Sequence, residues 1–74
     1  MTYLLGISAY YHESAACIIS IKDSKLIGYC KEDSISRVKG DNSFPKLAIQ
    51  ELLDSNDICM SEISEIIYYE RPLS

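Results

Sequence analysis

The strongest constraint on the fold is a pair of apolar runs, Leu4 to Ala9 and Ala15 to Ile21, separated only by the polar stretch Tyr10-Tyr11-His12-Glu13-Ser14. Runs of strand length joined this closely read as a β-hairpin. Structure alone favours a two-residue turn of Asn-Gly type. This turn is longer, and it carries hydroxyl, imidazole and carboxylate groups, including the only histidine of the chain. The pattern therefore places chemistry at the hairpin tip.

The remaining elements follow in order. In the first run Tyr3, Leu5 and Ile7 fall on one face and Leu4, Gly6 and Ser8 on the other. Gly6 leaves room for a packing notch in the sheet or for the close approach of a backbone or ligand. The second run is apolar on both faces, as suits a central strand covered above and below. Lys22-Asp23-Ser24-Lys25 reverses the chain into a third strand, Leu26 to Glu32, in which Gly28 marks the close approach of another element. Asp33 to Asn42, with only Ile35 and Val38 as isolated apolar residues, reads as a loop. Ser43 suits an N-cap for a helix running to about Asp54, with Pro45 in its first turn. Phe44, Ala48 and Leu52 form its apolar stripe, with Ile49 and Leu53 beside them. Asp54-Ser55-Asn56-Asp57 ends it. Ser61-Glu62-Ile63-Ser64-Glu65 reads as a solvent-facing connector. A last strand, Ile66 to Glu70, stops at Pro72, with Tyr68 and Tyr69 packing as alternating strand residues.

The order strand, strand, strand, helix, strand predicts an α/β fold. Two hairpins place the third strand parallel to the first, and a right-handed crossover through the helix lays the fourth parallel beside the first, giving a mixed sheet of order 3-2-1-4. Strands one, two and four are apolar on both faces, yet a single helix is available as cover. The uncovered face calls for the remainder of a larger domain or for self-association.

Composition narrows the class. A chain of 74 residues is one domain or a piece of one, and 47% hydrophobic with 24% charged residues is globular. A net charge of −4 argues against nucleic acid as a partner, the only basic cluster being Arg37-Val38-Lys39. The longest uninterrupted apolar run, Ala15 to Ile19, is far below the roughly 20 residues that cross a bilayer. The N-terminus lacks a signal-peptide pattern, so the cytoplasm is the expected compartment and no membrane is expected as a partner. Cys17, Cys30 and Cys59 show no C-x-x-C spacing and read as buried thiols. One histidine makes no metal site, which needs three or four ligands.

Three separate motifs carry a family likeness. Gly6-Ile7-Ser8-Ala9-Tyr10-Tyr11-His12-Glu13-Ser14-Ala15-Ala16, then Asp41-Asn42-Ser43-Phe44-Pro45, then Tyr69-Glu70-Arg71-Pro72-Leu73 resemble the N-terminus of the O-carbamoyltransferases, which include nodulation-factor and antibiotic carbamoyltransferases. The resemblance spans about Thr2 to Leu73. A more distant likeness joins the hairpin to the tRNA threonylcarbamoyl-adenosine enzymes. The resemblance implies that residues 1–74 are the opening of an N-terminal domain of the actin-like ATPase superfold, its ribonuclease-H-like half, in a protein about eight times longer. It implies ATP and a metal ion as cofactors, the metal being held beyond residue 74, and carbamoyl phosphate and a hydroxyl acceptor as substrates. Departures are Glu13 where the family usually has Asp, Ser34 and Ile35 in place of an Arg and a Phe, and Gly40 in place of a frequent His.

Placed in that motif, His12 is the candidate general base toward an acceptor hydroxyl, with Glu13 as its orienting partner; an imidazole of ordinary pKa near 6.5 accepts protons around neutrality. The bland alternative is an exposed turn histidine. Ser8 and Ser14, with nearby backbone N–H groups, offer donors to a phosphate or a carbamoyl oxygen, or else they satisfy only the turn itself. Tyr10 and Tyr11 are candidates to line an acceptor pocket. The expected activity is that of the N-terminal part of a carbamoyltransferase, the 74-residue chain being inactive alone. The alternative is a non-catalytic module of the same fold that binds a nucleotide or a protein.

Overall fold

The computed structural model describes residues 2–8, 14–37 and 44–69. They form β1 (Tyr3–Ser8), β2 (Ala15–Ser20), β3 (Lys25–Lys31), α1 (Asp33–Ser36), α2 (Lys46–Ser55), a 3-10 turn (Met60–Glu62) and β4 (Ile63–Tyr68). The sheet is mixed, in the order β3-β2-β1-β4 that the pattern predicts. β1 and β2 pair antiparallel from Tyr3↔Ser20 to Ser8↔Ala15, β2 and β3 pair antiparallel, and β4 lies parallel to β1.

Alternation decides which face is filled. Leu5 and Ile7 of β1 and Ala16 and Ile18 of β2 are buried together with Ala48, Leu52 and Leu53 of α2, and Ile58 closes the cluster. Each fully buried Leu or Ile contributes about 1.5–3 kcal/mol of transfer free energy, so this single face supplies most of the folding drive. At Gly28 a Cβ would sit 2.8 Å from Leu52 Cδ2, so the glycine is what lets α2 lie close on the sheet. At Gly6 a Cβ would meet Cys17 Sγ at 2.9 Å and the Tyr69 ring at 3.3 Å. Side chains of the chain itself fill that notch, in keeping with the packing reading of Gly6.

The opposite face has no helix among the described residues. Directly paired neighbours share a face, so Tyr29, Cys17, Gly6 and Ile67 form one row across the sheet, and Leu26, Ile19 and Leu4 another. Leu26, Tyr29 and Ile67 are 58%, 47% and 44% exposed.

The helix α2 ends in a Schellman arrangement. Ile58 N–H reaches back to Leu53 C=O (2.9 Å) and Asp57 N–H to Asp54 C=O (3.3 Å), with Asp57 in the left-handed region at φ 57°. Asn56 Nδ2 adds a bond to Leu52 C=O at 2.8 Å. The turn-forming residues expected to stop the helix do so through these bonds.

Four expectations need correction. The segment after β3 is not all loop: α1 forms because Ile35 and Ser36 N–H groups both find Glu32 C=O, at 3.0 and 2.9 Å. The helix α2 begins at Lys46 with Pro45 as N-cap, and no side chain of the N-cap residue bonds to it; Ser43 lies outside the described residues. Ile63–Glu65 is strand, not connector, because pairing with Tyr3 and Leu4 draws it into the sheet, while Glu62 accepts Cys59 N–H at 2.9 Å and closes the preceding turn. The thiols are unbridged, but Cys17 and Cys30 are only half-buried and Cys59 is exposed. Tyr68 ends β4 largely exposed, on the face it shares with Ile7, and Tyr69 follows it, its N–H bonded to Ile7 C=O at 2.9 Å. No helix among the described residues is long and apolar enough to cross a membrane.

Candidate functional site

Strand direction brings the described ends of the three motifs to one end of the sheet. Because β1, β3 and β4 run parallel and β2 runs against them, one end of the sheet holds the close of β1 at Ser8, Ser14 just before β2, Glu32 just after β3 and the close of β4 at Tyr68. The N-terminus of α2, with Phe44 and Pro45 before it, lies at the same end, since its first amides bond to Glu32. Strand ends of this kind are where α/β sheets usually hold ligands, because loops there diverge and leave a crevice.

Among the expected site residues, Ser8 and Ser14 are buried, 4% and 0% exposed, at the base of the hairpin tip. Ser8 pairs with Ala15 across the hairpin, and Ser14 C=O accepts Glu32 N–H at 2.9 Å. The two serines thus stand where the tip leaves β1 and where it rejoins β2. Tyr10, Tyr11, His12 and Glu13 lie outside the described residues, as do Gly40, Asp41 and Asn42. Ser34 donates its hydroxyl to Lys31 C=O at 2.7 Å.

On the face that carries α2, an apolar groove of about 270 Å³ runs between the helix and the β1–β4 edge. Leu5 and Ile7 line it together with Phe44, Ile66 and Tyr68, and Lys46 supplies a charge. Phe44 and Tyr68, from or next to two of the motifs, therefore face a common space.

Glu32 is the residue that sequence reasoning missed. It is 2% exposed, and its carboxylate accepts Ala48 N–H at 2.8 Å and Leu47 N–H at 3.4 Å. These are free donors of the first turn of α2, where a negative charge is stabilised by the helix dipole. A legible signal did exist: the helix carries no acidic residue in its own first turn, and a carboxylate closes an apolar strand upstream.

Among the described residues no cluster of three or more His, Cys, Asp or Glu side chains fits a metal ion.

Comparison with known proteins agrees with the motif reading. The family model described as the carbamoyltransferase N-terminus matches residues 3–74. The uncharacterized protein sll1178 of Synechocystis sp. is 42% identical over 73 residues, 99% of this chain and 12% of that protein. The nodulation protein NolNO of Sinorhizobium fredii is 29% identical over 62 residues, 84% of this chain and 9% of that protein. The chain spans about an eighth or less of the length of these relatives. No solved structure matches it significantly. With the family model covering nearly every residue, the chain belongs to the carbamoyltransferase N-terminus family.

Proposed function

We propose that the chain is the N-terminal part of a carbamoyltransferase that moves a carbamoyl group from ATP-activated carbamoyl phosphate to a hydroxyl acceptor. The observation that carries this reading is the convergence, at one end of the sheet, of segments from all three motifs in a chain whose family model covers residues 3–74. The strand order is in keeping with the opening of an actin-like ATPase domain. The rest of such a domain would cover the face that carries Leu26, Tyr29 and Ile67.

In this reading His12 takes the proton of the acceptor hydroxyl as its oxygen bonds to the carbamoyl carbon. The bond from that carbon to the phosphate oxygen breaks, and its electron pair leaves on the phosphate. Glu13 orients the imidazole. Ser8 and Ser14 donate to the carbamoyl oxygen as charge gathers there. Tyr10 and Tyr11 line the acceptor side. ATP supplies the activation, in a region beyond this chain. A second reading, a non-catalytic module of the same fold, is favoured by Ser34, whose hydroxyl is already bonded within the chain at a position where the resemblance implies an Arg.

A carbamoyl-transfer assay with ATP, carbamoyl phosphate and a panel of hydroxyl acceptors tests the proposal. Turnover is expected from a longer protein that contains the chain and not from the 74 residues alone. Turnover by the 74 residues alone, or none by the longer protein, contradicts it.

A further inference from the structure

Among the described residues Glu32 is the only buried side chain that carries a charge. A buried carboxylate is costly unless its oxygens are hydrogen-bonded. Here both oxygens take backbone donors, Oε1 from Ala48 and Oε2 from Leu47. The backbone of the same residue is also fully engaged: its N–H bonds to Ser14 C=O, and its C=O takes Ile35 and Ser36. One residue thus ties together the start of β2, α1 and the first turn of α2.

The sequence positions of those partners give the junction its meaning. Ser14 is the residue at which the hairpin tip rejoins the sheet. Leu47 and Ala48 lie in the first turn of the helix that follows the Asp41-Asn42-Ser43-Phe44-Pro45 motif in sequence. We propose that Glu32 is a positioning residue for the hairpin site, holding the second arm of the hairpin in fixed relation to the α2 N-terminus. Its value to catalysis rests on the reading of His12 as the base toward the acceptor; the mechanical link does not. A residue acting only as a helix cap would influence α2 and leave the hairpin untouched.

Amide hydrogen exchange and the His12 ring resonances, followed by NMR on the 74-residue chain in the association state it adopts, separate these roles. In Glu32→Ala the amides of residues 32, 47 and 48 should exchange at least about tenfold faster, a factor equal to about 1.4 kcal/mol. The Leu5 and Ile18 amides should keep their protection, and the His12 resonances should move. Glu32→Gln keeps an acceptor oxygen at the same reach, so it should restore protection at Ala48, leave Leu47 open and return the His12 resonances toward their original positions. Opening confined to residues 47 and 48, with residue 32 and His12 unaffected, overturns the proposal. Equal loss at Leu5 and Ile18 does so too, because it reports general destabilisation. Should Glu32→Ala fail to fold, Glu32→Gln decides alone: unchanged exchange at Leu47 overturns the link. Coupled opening found together with full transfer by His12→Asn in the longer enzyme upholds the link and rejects the acceptor reading instead.

Discussion

The Glu32 carboxylate accepts the Ala48 N–H at 2.8 Å across sixteen residues of sequence, and in doing so it caps a helix that has no cap of its own. A side chain from the end of a strand here does what Ser, Thr, Asp or Asn does at an ordinary N-cap. The difference is that a local cap joins a helix to its own preceding turn, whereas this one joins it to the sheet.

Stability should follow from that bond. Hydrogen bonds to a charged partner are worth about 1.5–3 kcal/mol, so Glu32→Ala should lower the unfolding free energy by that amount. Glu32→Gln should lower it by less. Urea denaturation of the variants measures both, and equal stability of Glu32→Ala and the parent chain would show that solvent replaces the carboxylate freely.

Asp57 offers the opposite change. It holds a left-handed conformation at φ 57° in the Schellman turn, where residues with a Cβ are strained and glycine is not. Asp57→Gly should therefore stabilise the chain by about 0.5–1 kcal/mol, and a β-branched residue there should destabilise it. In a chain of this size 1 kcal/mol moves the melting temperature by roughly 4–8 °C. A lower melting point for Asp57→Gly would contradict the role assigned to this turn.

Most of the architecture was legible because it rests on short-range patterns. The alternation around Leu5 and Ile7 set the buried face, the runs on either side of the tip set the hairpin, and Gly28 marked the close approach of another element, which the structure shows to be Leu52 of α2. The errors came where distant partners decide. Ile63 to Glu65 looks polar in isolation and becomes strand only by pairing with β1. The helix α1 exists because Glu32 C=O receives two amides, and no periodicity in four residues reports that. Ser8 and Ser14 were legible as the residues that flank the tip, their burial was not, and the cap from Glu32, hinted at only by a helix without an acidic first turn, depends on a contact sixteen residues away.

The uncovered face of the sheet makes an association prediction. Leu26, Tyr29 and Ile67 stand exposed on it in a chain of 8.4 kDa, and apolar surface of this kind seeks cover. Sedimentation at low micromolar concentration should give species heavier than the monomer. Replacing Leu26 and Tyr29 with serine should shift the distribution toward the monomer. A compact, stable monomer of the unmodified chain would mean that the face tolerates water.

The most direct test of the carbamoyl-transfer account is His12→Asn in the longer enzyme, followed at two separate steps. Asparagine keeps much of the shape and hydrogen bonding of histidine and accepts no proton near neutral pH. General acid–base catalysis is worth about a hundred to ten thousand fold, or roughly 3–5 kcal/mol of barrier. Activation of carbamoyl phosphate, read as pyrophosphate release, should continue, and acceptor carbamoylation should fall by that factor. Glu13→Gln should cost less, since an orienting partner is partly replaced by water. Carbamoylation by His12→Asn at the unmodified rate would leave His12 a turn residue and return the hairpin to a structural role.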